Sequence, residues 1–185
     1  MISRDEEARR VLASAELLHD QQSVDNACAA LAAQITERCA GRNPLIMPVM
    51  MGGMFAASEI MRQLEFPFEM DYLHASRYRN EIQGSELIWK VMPTATLENR
   101  VVVVIDDILD EGHTLKAVEV ALQAQSPTEV IVAVLVDKQT PKRAPGVQVD
   151  MVGLQVSDRY VFGCGMDYKG YWRQLPAIYA VAGTG

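Results

Sequence analysis

The stretch Val101-Val102-Val103-Val104-Ile105 running straight into Asp106-Asp107 constrains the fold of this chain more than any other segment. Five β-branched residues in a row leave neither strand face polar, so this segment predicts a strand buried on both sides, at the centre of a parallel sheet. A parallel sheet needs crossover helices, and the flanking pattern supplies them. Helical spacing of apolar residues predicts helices over 5–19, 24–39, 54–64 and 113–125. Short apolar runs predict strands over 44–50, 66–74, 87–92, 101–105 and 130–136, with polar loops at 76–86 and 141–146. Strand alternates with helix through the middle of the chain, the pattern of a doubly wound α/β sheet, whose ligands bind beyond the carboxyl ends of the strands. Chemistry is therefore expected after residues 50, 105 and 136.

With 185 residues, the chain has room for one well-cored domain, taken here as residues 1–185. Hydrophobic residues make up 49% and charged residues 22%, the balance of a folded protein. The longest apolar runs are far short of a membrane span, and the charged start lacks the apolar core of a secretion signal. Cys28, Cys39 and Cys164 form no CxxC pair and read as reduced thiols, which makes cytoplasm the expected compartment. A net charge of -7 argues against nucleic acid as the main partner. It does not argue against a small anion, since one basic pocket or a divalent cation reverses the local field.

The segment 106–114, Asp-Asp-Ile-Leu-Asp-Glu-Gly-His-Thr, divides into two chemistries. Residues Asp110, Glu111, Gly112, His113 and Thr114 form the turn into a helix, where unpaired N–H groups and the helix dipole favour an anion. Gly112 permits close approach of backbone to ligand, and Thr114 adds a hydroxyl donor. Asp106 and Asp107 only accept, which suits the vicinal hydroxyls of a ribose, directly or through a divalent metal. One acid at a strand end is commonly a solvated cap. Four acids within six positions repel one another, and that cost points to a ligand. Together the halves favour a phosphorylated sugar.

On these residues the chain resembles the type I phosphoribosyltransferases, whose motif is an apolar strand, two acids, two apolar residues, then Asp, a small residue, Gly, any residue and Thr. Glu111 stands where the family usually carries Thr or Ser, so its side chain should point away from the phosphate. Over roughly residues 44–173 the resemblance extends to the hypoxanthine-guanine branch. It implies an open, mainly parallel twisted sheet flanked by helices, with a small hood formed by the N-terminal helical segment and residues from about 150 to 185. It also implies an oligomer, dimer or tetramer, of identical chains. The implied activity is transfer of the 5-phosphoribosyl group from 5-phosphoribosyl 1-diphosphate (PRPP) to a 6-oxopurine base, with Mg2+ as cofactor.

The resemblance assigns residues as follows. Met51 and Gly52, after Met50 and a non-proline cis peptide, match the pyrophosphate loop, Met51 through its backbone because many relatives carry lysine there. Arg173 matches an arginine on pyrophosphate, a task its fork geometry suits. Lys138 matches the purine-reading lysine; its three donors suit O6 and N7 of a 6-oxopurine and would meet donor with donor at adenine. Tyr160 would stack on the base, the Val161 carbonyl would accept from the amine of guanine, and Asp167 would lie by the base and join Asp106 and Asp107 around magnesium. Asp110 would be the general base on purine N7. Arg77 and Tyr78 stand where relatives carry a Ser-Tyr lid. Two other activities share the motif: a PRPP-sensing regulator without catalysis, and a xanthine-preferring transferase. A phospho-receiver domain is disfavoured because its acidic pair lies near the amino terminus, and the P-loop and dinucleotide glycine patterns are absent.

Overall fold

The valine-rich strand does form the centre of a parallel sheet. The computed structural model describes residues 2–78 and 86–183. Five strands, β2 (Leu45–Pro48), β3 (Glu69–Met70), β6 (Val101–Leu109), β7 (Glu129–Gln139) and β8 (Met151–Ser157), lie in the order β3-β2-β6-β7-β8, all parallel. Alternation sends successive side chains of the central strands to opposite faces. Val101, Val103, Ile105, Ile131, Ala133 and Leu135 meet α2 (Gln21–Cys39) and α3 (Gly53–Met61) on one face. Val102, Val104, Val130, Val132 and Val134 meet Leu115, Val118 and Leu122 of α4 (His113–Gln123) on the other. Burial of each such side chain contributes roughly 1.5–3 kcal/mol, so these two layers hold the sheet in place.

Several expected boundaries shift, each for a visible reason. Strand β6 does not stop at Ile105 but carries Asp106 and Asp107 within it, because β7 continues alongside: Asp106 pairs with Val134 and Leu109 with Asp137. The helix expected over 5–19 is α1 (Arg4–Ser14), which ends where Ala15 turns extended and β1 (Glu16–His19) begins. Pairing of β1 with β10 (Ile178–Ala180) overrides the helical spacing of Ala15 and Leu18. The strand expected over 66–74 breaks at Asp71, whose carboxylate accepts from the N–H groups of Tyr72, Thr94 and Ala95. A separate hairpin of β4 (His74–Tyr78) and β5 (Glu86–Val91) follows, so residues 76–78 of the expected loop are strand. The rest of the expected lid, residues 79–85, lies outside the described residues, as do the side chains of Arg77 and Tyr78.

A small antiparallel sheet, β1-β10-β9 with β9 at Val161–Phe162, stands over the carboxyl ends of the core strands. The terminal segments do build this hood, with two corrections. The N-terminal contribution is strand β1, not a helix, and residues 151–157 belong to the core sheet as its edge strand β8. Helix α1 braces the segment behind the hood: Trp172 Nε1 donates to the Ala8 carbonyl at 2.8 Å, and Glu7 accepts from Tyr168 Oη at 2.9 Å and from Lys169 Nζ at 2.6 Å. Cys28, Cys39 and Cys164 are free and buried. Among the described residues no helix is long and apolar enough to cross a membrane.

Candidate active site

A cavity of about 770 Å³ opens where β2, β6 and β7 end, between the core sheet and the hood. Its wall includes Met51, Gly52, Asp106, Asp107, Asp110, Glu111, Gly112, His113, Thr114, Lys138, Tyr160, Val161, Asp167 and Arg173. One cavity thus gathers every site residue expected from the sequence, apart from Arg77 and Tyr78.

The turn after β6 leads into a helix start that no side chain caps. Gly112 caps α4 with φ at +82°, a left-handed conformation that glycine adopts without the clash other residues suffer. The first helical bond runs from the Lys116 N–H to the Gly112 carbonyl at 3.0 Å, so the amides of the preceding turn have no intrahelical acceptor. Glu111 leans toward His113, with 3.9 Å between Oε2 and Nε2, beyond hydrogen-bond reach.

Asp106 and Asp107 form the floor. The Asp107 N–H donates to Asp106 Oδ1 at 2.9 Å, and Asp107 is buried. Burial first, then the charge of Asp107, pushes the Asp106 carboxyl well above the ordinary carboxylate range; burial raises Asp107 as well. A raised carboxyl binds its proton more tightly in the folded protein than in the unfolded chain. Its stabilising contribution is therefore present at low pH and lost as pH rises through the folded-state value. Asp106→Asn should consequently raise Tm by a few degrees at about pH 8 in a chelating buffer, and the gain should shrink as pH falls toward about 5. Thermal melts across pH check this; an unchanged or lowered Tm at high pH would show that the pair is already neutralised.

Two glycines let the neighbouring loops close on that floor. The bond between Met50 and Met51 is the expected non-proline cis peptide. A methyl added at Gly52 would overlap the Asp107 carboxylate, and one added at Gly165 would overlap the Gly52 carbonyl. The role of Gly165 was not legible beforehand, since the packing of one loop on another leaves no local pattern.

An ion pair stands on the cavity wall at the end of β7. Lys138 Nζ donates to Asp110 Oδ2 at 2.8 Å; the lysine side chain is 10% exposed, the carboxylate 51%. Arg143 donates to both Asp137 and the Lys138 carbonyl, which fixes the strand end carrying the lysine. Asp167 pairs with Arg173 and accepts from the Gly170 N–H at 2.6 Å, while Arg173 also donates to the Gly165 carbonyl. Asp167 therefore aims the arginine. Among the described residues no three acidic, histidine or cysteine side chains group closely enough to enclose a metal. The Tyr160 ring lies edge-on to Tyr168 at 5.7 Å, is 45% exposed, and its hydroxyl donates to the Asp167 carbonyl at 3.2 Å. Val161 is buried in β9. Ile108 of the motif and Ser76 of the expected polar loop also line the cavity, as do His74 and Lys90, for which the sequence suggested no role.

The family profile of the phosphoribosyl transferase domain matches residues 14–169. A hypoxanthine-guanine-xanthine phosphoribosyltransferase from Tritrichomonas foetus is 33% identical over 163 residues, covering 88% of each chain. A hypoxanthine-guanine phosphoribosyltransferase from Staphylococcus aureus is 28% identical over 165 residues, covering 88% of this chain and 91% of that one. Among solved structures, a hypoxanthine-guanine-xanthine phosphoribosyltransferase superposes with a TM-score of 0.82 at 30% identity, over 90% of this chain and 96% of the other. A hypoxanthine phosphoribosyltransferase from Staphylococcus aureus gives 0.86 at 25% identity, over 97% and 96%.

Proposed function

This chain belongs to the phosphoribosyltransferase family, and from that premise we propose that it is a purine-salvage enzyme moving the 5-phosphoribosyl group of PRPP onto hypoxanthine or guanine, giving IMP or GMP and pyrophosphate. The observation that carries the reading is the Lys138–Asp110 pair on the wall of the cavity that also holds the anion-binding turn. A donor-only lysine beside an acceptor-only carboxylate matches the adjacent O6 and N7–H of a 6-oxopurine. Adenine would put its amine against the lysine and leave buried polar groups unpaired, a costly form of rejection.

In this mechanism the amides at the start of α4 and the Thr114 hydroxyl hold the 5′-phosphate, and Asp106 and Asp107 accept from the ribose hydroxyls. Asp110 takes the proton from N7 while Lys138 donates to O6 without releasing Asp110, since an ammonium has three donors. Tyr160 covers the base, and the backbone at Met51 and Gly52 together with Arg173 receives the departing pyrophosphate.

The donor set fits a magnesium ion that arrives with PRPP. The cavity wall carries five carboxylates (Asp106, Asp107, Asp110, Glu111 and Asp167) against three permanent cations (Lys90, Lys138 and Arg173), a poor host for a naked diphosphate. The raised Asp106–Asp107 pair is where a cation relieves most repulsion, and magnesium is commonly held by one or two carboxylates plus substrate oxygens. When bound, magnesium would neutralise charge on the leaving pyrophosphate.

The test is an assay with PRPP, magnesium and each of adenine, hypoxanthine, guanine and xanthine. Turnover of hypoxanthine and guanine without adenine is expected; adenine alone would overturn the reading, and no turnover with any base would favour a PRPP sensor. Lys138→Met should lower kcat/KM for hypoxanthine by about 10- to 100-fold, the range for one charge-assisted hydrogen bond, and narrow the gap to adenine.

A further inference from the structure

Three features set Lys90 apart from the other cations of the cavity. First, it is available: Lys138 is bound to Asp110 and Arg173 to Asp167, whereas among the described residues no carboxylate lies within ion-pair distance of Lys90. Second, its place in the hairpin is irregular. Ala75 pairs with Trp89 and His74 with Val91, so Lys90 is the extra residue of a β-bulge. Bulges break the ladder, sharpen the local twist and re-aim a side chain, and they gather beside active sites. Here the bulge lets Trp89 pack against the core while Lys90 lines the cavity. Third, the cis-peptide loop brings no side-chain charge to the cavity, because Met51 is apolar and half-exposed. His74 adds no competing charge at neutral pH, since burial, and then Lys90 itself, hold its imidazole below the ordinary range.

We propose that Lys90 binds the diphosphate of PRPP and the pyrophosphate product, supplying from the β4–β5 hairpin the ammonium that the Met51 loop does not carry. The 5′-phosphate has the amides of α4 for its partners, whereas the diphosphate faces backbone and an arginine already shared with Asp167 and Gly165. A lysine with no carboxylate partner among the described residues belongs with the second anion. This assignment rests on the transferase reading for its substrate, not for its chemistry, since pyrophosphate can be tested alone.

The experiment compares wild type with Lys90→Ala, Lys90→Arg and the double variant Lys90→Ala, Met51→Lys. It measures KM for PRPP and for hypoxanthine, inhibition by pyrophosphate, and calorimetric binding of pyrophosphate and of IMP, all with magnesium. Lys90→Ala should raise KM for PRPP and the pyrophosphate constants by about 10- to 100-fold, the range of a charge-assisted hydrogen bond to phosphate. KM for hypoxanthine and the affinity for IMP, which has no diphosphate, should stay unchanged. Lys90→Arg, which keeps the positive charge, should weaken pyrophosphate binding less than Lys90→Ala does, and Met51→Lys should recover part of the loss. Unchanged pyrophosphate constants in Lys90→Ala, or an equal weakening of IMP, would overturn the proposal. Should wild type turn over no base, the transferase reading fails, and the pyrophosphate titrations still decide the role of Lys90.

Discussion

Asp110→Asn should lower kcat by about 10²- to 10⁴-fold, the usual contribution of one positioned general base, while IMP binds nearly as before. The asparagine carbonyl still accepts from Lys138 Nζ, so the lysine keeps a partner and stays where Asp110 held it at 2.8 Å. The amides at the start of α4 are untouched, so the phosphate anchor survives. Only the capacity to take a proton disappears, which separates chemistry from binding. Steady-state kinetics with hypoxanthine and PRPP, together with IMP calorimetry, read the two independently. Unchanged turnover would remove Asp110 from the mechanism, and a parallel collapse of IMP affinity would make its role structural.

Gly52→Ala should be nearly as damaging for a different reason. The added methyl would occupy the space of the Asp107 carboxylate, and the Gly52 carbonyl is itself boxed in by Gly165. Asp107 is buried, at the edge of the cavity it lines. Either the loop backs away from the floor or Asp107 turns aside, and a displacement near 1 Å at a reacting centre costs about 10²-fold in rate. Overpacking should also destabilise the fold by about 1–3 kcal/mol, seen as a lower Tm. Kinetics and melts on the same preparation measure both. Wild-type activity in Gly52→Ala would mean that the close approach of loop and floor plays no part in turnover.

How far the sequence revealed these features followed from where their information is stored. The central strand, the turn after it and the start of α4 at His113 were legible because each is written in consecutive residues: a β-branched run, clustered acids, a glycine before a helical pattern. Lys138 was reached through motif resemblance, and its bond to Asp110 is a contact across 28 positions that no local pattern encodes. The hood strands escaped because β9 has two residues and β10 three, too few to show alternation. Strand β1 was hidden inside a helical repeat of apolar positions, and only its partner β10 decides the matter. Lys90 was invisible for the same kind of reason, since a bulge is a property of two strands and not of one.

Every role assigned above depends on where a ribose 5-phosphate sits. A crystal structure of the protein with IMP, pyrophosphate and magnesium tests that directly. The account predicts the 5′-phosphate against the amides of residues 111–114, the ribose hydroxyls on Asp106 and Asp107, and O6 of the base on Lys138. A nucleotide bound with its phosphate elsewhere and the turn after β6 free of ligand would contradict it.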